Sequence, residues 1–178
     1  MPDFDFTNPS FFGSSSNSVD SKGRVFIPIK WREKLGDSVI LHIGLGREGE
    51  GRYLELTTIE SFKKLIDSVT KLSATNRRYE ALKRNLFGKT EELSADKQSR
   101  ILIPKHLLEY AGLEGEIVMV GSGDHIQIWN PETYRAIDER YDHDDFCDDL
   151  EKLDRDLERH DGCQPQSSNA YPGGVLNG

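Results

Sequence analysis

Asp20-Ser21-Lys22-Gly23-Arg24-Val25-Phe26-Ile27-Pro28 returns 76 residues later as Asp96-Lys97-Gln98-Ser99-Arg100-Ile101-Leu102-Ile103-Pro104. Each copy is an acid, a polar three-residue turn, an arginine, three apolar residues and a proline. One D-x-x-x-R arises by chance in most chains of this length, but a nine-residue frame repeated in full does not. Each copy also runs into a short amphipathic stretch closed by glycine, Trp31 to Leu35 before Gly36 and Leu107 to Ala111 before Gly112. The repeat is therefore a supersecondary unit.

Within each copy the residue types dictate local structure. Asp20 can accept from the backbone two residues on, and Gly23 takes positive φ without steric cost, so residues 20–23 predict a tight turn. Arg24 to Ile27 is a short strand that is apolar on both faces, Pro28 opens the helix that follows, and Gly36 ends it. Val39 to Ile43 and Tyr53 to Leu56 predict a hairpin with a glycine-rich tip at 44–51. That tip lacks the G-x-x-x-x-G-K-[ST] spacing and leads into a strand, which argues against a phosphate cradle. Thr57 and Glu60 predict a capping box, followed by the helical stripe Ile59, Phe62, Leu65 or Ile66, Val69 and Leu72. Arg77 to Phe87 is a strongly basic helix with Tyr79, Leu82 and Leu86 turned inward; its bases suit a solvated face or phosphate contact.

The second half replays the first. Leu93 to Asp96 leads into the turn, Arg100 to Ile103 is the strand and Pro104 to Ala111 the helix. Ile117 to Val120 and His125 to Trp129 are the hairpin, and Asn130-Pro131 starts a closing helix striped by Tyr134, Ile137 and Tyr141. Two such copies predict an α+β fold with internal pseudo-two-fold symmetry. The expected organisation is a loose arm at 1–10, with Phe11-Phe12-Gly13 to Val19 as a frayed first strand. A first repeat at 11–87 and a second at 88–143 follow. Phe146, Leu150, Leu153 and Leu157 then form a heptad-like seam in an acidic amphipathic helix at 144–163, and 164–178 is a disordered tail.

Net charge is −8, but residues 138–161 hold twelve acids against four bases, so the remainder is neutral. Residues 61–105 hold eleven bases against five acids, a local excess of +6 that includes the second motif. The whole-chain balance is thus no argument against an anionic partner. Hydrophobic content of 35% and a mean hydropathy of −0.62 suit a modest soluble core. With neither an 18-residue apolar run nor a basic-then-apolar leader, the expectation is a cytoplasmic chain without membrane contact. The two cysteines, Cys147 and Cys163, are too few for a disulfide framework. His143 with Cys147 and His160 with Cys163 have a zinc-like spacing, but a helix continuing between the pairs would hold them about 20 Å apart. His42, His106 and His125 are isolated in sequence, so no catalytic base, metal set or cofactor site is expected, and the chain does not read as an enzyme.

Two readings of the motif arginines stand side by side. Arg24 and Arg100, each at the first residue of a strand and helped by Lys22 and Lys97, would form two like basic tips about a pseudo-two-fold axis. Guanidinium groups there suit double-stranded DNA, through phosphate or guanine O6 and N7. Alternatively, Arg24 and Arg100 only pair with Asp20 and Asp96 to staple the turns.

The two D-x-x-x-R copies running into apolar-apolar-Ile-Pro resemble the MraZ family of bacterial transcriptional regulators, over roughly residues 11 to 160. Asp20 to Arg24 stands as that family's first motif, and Phe12-Gly13 is similar to its N-terminal strand. The second motif has Ser99 where the family has glycine; positive φ there costs a serine about 1 kcal/mol. The resemblance implies an AbrB-like swapped-hairpin β-barrel with flanking helices, both halves coming from one chain, assembled as a ring-shaped homo-oligomer on the nucleoid. It implies binding to tandem short G-rich promoter repeats of the division and cell-wall gene cluster, usually as a repressor. By position, Lys22, Arg24, Lys97 and Arg100 would contact DNA, on turns shaped by Asp20, Gly23, Asp96 and Ser99. An antitoxin-type protein-interaction module is the alternative.

Overall fold

The computed structural model describes residues 10–44, 51–73, 77–141 and 143–161, and the chain divides into two compact units at Ile137/Asp138. The first half supplies β1 (Ser14–Ser18), β2 (Arg24–Phe26), α1 (Ile29–Leu35), β3 (Ser38–Ile43), β4 (Leu54–Thr58) and α2 (Ile59–Ser73). After α3 (Arg77–Phe87), the second half gives β5 (Glu91–Ser94), β6 (Arg100–Leu102), α4 (Lys105–Ala111), β7 (Glu116–Gly121), β8 (His125–Trp129) and α5 (Pro131–Asp138). The second unit contains α6 (His143–Asp161).

Six strands form one antiparallel sheet in the order β1-β7-β8-β4-β3-β5, and β2 pairs with β6 as a separate ribbon. Exchanging the halves maps β1 onto β5, β3 onto β7 and β4 onto β8, and the sheet order then reads the same backwards. Each half lends its first strand to the other: β1 pairs with β7 and β5 with β3. The pairs at the centre of this exchange are Val25 with Ile101 in the ribbon and Glu55 with Gln127 between β4 and β8. The expected barrel does not close among the described residues, because β1 and β5 remain edges of an open sheet.

The two short helices are built alike. Pro28 and Pro104, with φ of −53° and −58°, precede α1 and α4. Trp31 with Leu35 and Leu107 with Ala111 are four apart, so each pair falls on one buried face. These residues join Val25, Ile27, Ile101, Ile103 and the inner positions of β3, β4, β7 and β8 in one core. Burying an aliphatic side chain such as Ile101 stabilises by about 1.5–3 kcal/mol. The serine-rich β1 has no intrinsic strand preference; Phe11, fully buried and bonded in both directions to the Gly123 backbone, holds it on β7.

Several details differ from expectation. The α2 cap is Thr58, whose Oγ1 accepts from Ser61 N–H at 3.1 Å. Thr57 instead donates to the Asp124 carbonyl at 3.2 Å, because the strand runs to residue 58 and moves the cap by one. On α3, Leu86 is fully buried and Phe87 meets Phe62 edge-on at 6.4 Å, whereas Leu82 is exposed. Tyr141 lies past the end of α5 and donates to Asp149 at 3.2 Å within the second unit. Along α6, Phe146, Leu150 and Leu153 are exposed. Expectations for the arm, for most of the glycine-rich tip, for the Leu72 and Leu157 side chains and for the 164–178 tail lie outside the described residues, as do the His143 and His160 side chains and Cys163. α6 runs unbroken from His143 to Asp161, about 28 Å at 1.5 Å per residue. No described helix is long and apolar enough to cross a membrane.

Candidate nucleic-acid interface

Each motif aspartate divides its carboxylate between two tasks. Asp20 Oδ1 accepts from the backbone N–H groups of Lys22 at 2.8 Å and Arg24 at 3.0 Å, while Oδ2 accepts from Arg24 Nε at 2.7 Å and Nη2 at 2.6 Å. Asp96 repeats this geometry with Gln98 N–H at 2.8 Å, Arg100 N–H at 3.0 Å, Arg100 Nε at 2.8 Å and Nη2 at 2.7 Å. Four donors on one carboxylate favour its ionised form, so the bound guanidinium and amides hold both Asp20 and Asp96 at about 2, against an ordinary 3.8. Each turn also closes through a backbone bond, Gly23 N–H to Asp20 O at 2.9 Å and Ser99 N–H to Asp96 O at 2.8 Å.

The third turn residue has φ of +83° at Gly23 and +58° at Ser99, the one non-glycine at positive φ among the described residues. The reason is a reciprocal clamp. Ile103 N–H donates to the Gly23 carbonyl at 2.9 Å, and Ile27 N–H to the Ser99 carbonyl at 3.0 Å. Each turn is thereby fixed to the strand of the other half, and a Cβ on Gly23 would stand 3.1 Å from the Ile103 carbonyl oxygen.

Strand alternation then sets the outward face. Val25 and Ile101 point into the core, while Arg24, Phe26, Arg100 and Leu102 share the opposite side of the ribbon. The arginine side chains are 31% and 22% exposed, so neither guanidinium is sequestered in the interior. A guanidinium carries five N–H donors in a planar fork. The aspartate engages the Nε side and one Nη2 hydrogen, which leaves the outer Nη1–Nη2 edge as a two-donor fork. That edge matches guanine O6 and N7, or two phosphate oxygens. Stapling and presentation are therefore compatible uses of one ion pair. Lys22 and Lys97 are exposed on the same turns. Phe26 and Leu102, 46% and 55% exposed, place apolar surface beside the arginines, with Arg32 stacked 5.5 Å over the Phe26 ring.

A second polar cluster joins residues that are far apart in sequence. His42 and His125, isolated in sequence, meet around Glu55 at the β4–β8 seam, with Nε2 to carboxylate distances of 3.7 and 4.0 Å. They line a 230 Å³ pocket with Thr57, Ser61 and Asp124. His42 Nδ1 lies 2.9 Å from the Ile43 carbonyl and His125 Nδ1 lies 2.8 Å from Asp124. Burial pushes His42 below its ordinary value, with nearby Glu55 opposing the shift. Pairing of β3 with β4 sets His42 opposite Glu55, and pairing of β4 with β8 adds His125 from the other half, a contact that no local spacing signals. The described residues hold no group of three or more His, Cys, Asp or Glu placed to bind a metal ion.

The family described as "MraZ protein, putative antitoxin-like" matches residues 86–156. A transcriptional regulator MraZ of Clostridium tetani is 35% identical over 144 residues, covering 80% of this chain and 98% of that protein. One from Carboxydothermus hydrogenoformans is 38% identical over 124 residues, covering 70% and 83%. Another, from Alkaliphilus metalliredigens, is 34% identical over 145 residues, covering 80% and 98%.

Proposed function

The chain belongs to the MraZ family of transcriptional regulators, and on that footing we propose that it binds double-stranded DNA through its two D-x-x-x-R turns. The observation that carries this reading is the twinned turn: two arginines held by the same four-donor aspartate geometry and facing outward from one ribbon. A pre-oriented guanidinium loses little side-chain entropy on binding, so its contact is worth more than that of a free surface arginine. Arg24 and Arg100 are the base-reading residues of the proposal, and Lys22 and Lys97 its phosphate contacts.

The proposal extends to assembly. We read the exchange of β1 and β5 between halves as the swapped-hairpin arrangement of AbrB-like barrels, with the ribbon presenting the tips. One such ribbon is a small surface. A ring of copies meeting tandem short G-rich repeats gains effective concentration without new contacts, and this suits a nucleoid-bound repressor of the division and cell-wall gene cluster. On this reading like-charge repulsion requires the acidic segment 138–161 to stay clear of the phosphates. A gel shift on DNA from upstream of its own coding sequence tests the reading. Retarded complexes whose affinity falls steeply with salt are expected; no retardation at micromolar protein and low salt refutes it.

One observation favours a second reading. The exposed stripe of Phe146, Leu150 and Leu153 on α6 suits a protein partner, as an antitoxin-type module would require. Co-purification of a stoichiometric partner by a chain that fails to retard DNA would select it.

A further inference from the structure

Both motif arginines and Asp20 line one cleft of about 840 Å³, whose other walls include β1, β7 and the start of α5. β1 contributes Ser16 and Ser18, which lie on the exposed side of that edge strand. β7 contributes Glu116 and α5 contributes Arg135, both exposed. We propose that this cleft seats a stretch of DNA backbone, with Arg135 on a phosphate and the hydroxyls of Ser16 and Ser18 donating to its oxygens. The inference rests on the DNA-binding reading above and adds contacts outside the motif.

Charge and donor chemistry carry it. Arg24 and Arg100 are each already balanced by an aspartate, so they direct hydrogen bonds but add little net attraction for a polyanion. Among the described residues no ion pair joins Arg135 to a carboxylate, so it brings to the same cleft a cation not already engaged, against which Asp20 and Glu116 are the acids of the lining. Arginines that enter a groove to read bases need the flanking backbone held in register, and that is the task of phosphate contacts. The pseudo-symmetry supplies an independent sign. Thr58 caps α2 and Asn130 caps α5, the latter accepting from Glu132 N–H at 2.9 Å and Thr133 N–H at 3.2 Å. Five residues past each cap stands an exposed cation, Lys63 in the first half and Arg135 in the second. Glu116 opposes the anion from the same wall, opposite Ser18 in register.

Equilibrium binding of the full chain to its own upstream DNA and to a scrambled duplex, each over a series of salt concentrations, tests the proposal. Arg135→Ala is expected to weaken both complexes about fivefold, leave their ratio unchanged and make the log–log salt slope shallower by about 1. Arg135→Lys should keep most of the affinity, since a phosphate accepts a point charge, and Glu116→Gln should tighten both complexes. Unchanged affinity and slope in Arg135→Ala, while Arg24→Ala still weakens binding, overturn this inference alone. A loss confined to the specific duplex also overturns it, by making Arg135 a base reader. No binding by the unaltered chain removes both this inference and the reading beneath it.

Discussion

Arg24 and Arg100 stand diagonally on one face of the β2–β6 ribbon, Arg24 opposite Leu102 and Arg100 opposite Phe26, on either side of the buried Val25–Ile101 pair. Their relation is set by backbone pairing and by the clamp between each turn and the opposite strand, not by the side chains themselves. The backbone therefore holds the two arginines in positions related by the pseudo-two-fold axis.

The aspartates should matter for affinity although they face a polyanion. Asp20→Asn keeps an oxygen for the turn amides but loses the charge that holds Arg24. Ordering the released arginine on binding costs about 0.5–1.5 kcal/mol, so affinity should fall roughly two- to thirteenfold, measured by fluorescence anisotropy. A gain in affinity from removing the negative charge would contradict the orienting role. Because both carboxyls sit at about 2, this orientation should not vary between pH 6 and 8.

The two turns should respond differently to mutation at their third residue. Gly23→Ala forces a Cβ into positive φ and close to the Ile103 carbonyl, with an expected loss of about 1–2 kcal/mol in urea unfolding. Ser99→Gly relieves a similar strain but adds unfolded-state freedom, so a change between zero and about 1 kcal/mol of stabilisation is expected. Equal destabilisation by both substitutions would contradict the shared turn geometry.

Stability should fall on mild acidification through His42. Its folded-state value is depressed by burial, so below the ordinary 6.5 the unfolded chain binds a proton that the folded chain resists. The contribution is present above 6.5 and is lost as pH falls from there toward the lower folded value. The urea midpoint should drop between pH 7.5 and 5.5, and His42→Gln should flatten that drop. An unchanged pH dependence would assign it to other groups.

Much of this arrangement is readable in the chain. The nine-residue repeat announces two equivalent halves, and Asp20, Gly23 and Pro28 prescribe turn, strand and helix start through local stereochemistry alone. The positive φ at Ser99 is visible only by analogy with Gly23. What local chemistry does not encode is pairing between distant segments. The polar Ser14–Ser18 run becomes a strand because β7 offers it a ladder, and His125 joins the hairpin pair His42 and Glu55 because β4 and β8 adjoin. The Thr58 cap was displaced from Thr57 for the same kind of reason, since strand pairing with β3 extends through residue 58.

The exposed stripe on α6 should govern association, not folding. Because Leu150 and Leu153 are about half exposed, replacing both with serine should leave the melting temperature within a degree or two. The same pair should lower the assembly mass seen by light scattering if α6 helps join copies. A lower melting temperature at unchanged mass would instead make these residues part of the fold.

Base reading by the twin arginines is tested by comparing Arg24→Ala, Arg100→Ala and Lys64→Ala for affinity to the upstream DNA and to a scrambled duplex at one fixed salt concentration. Each arginine variant should lose about 1–3 kcal/mol of discrimination between the two duplexes, with Lys64→Ala close to the unaltered chain. Discrimination that persists in both arginine variants would show that the D-x-x-x-R turns are staples alone and that another surface meets DNA.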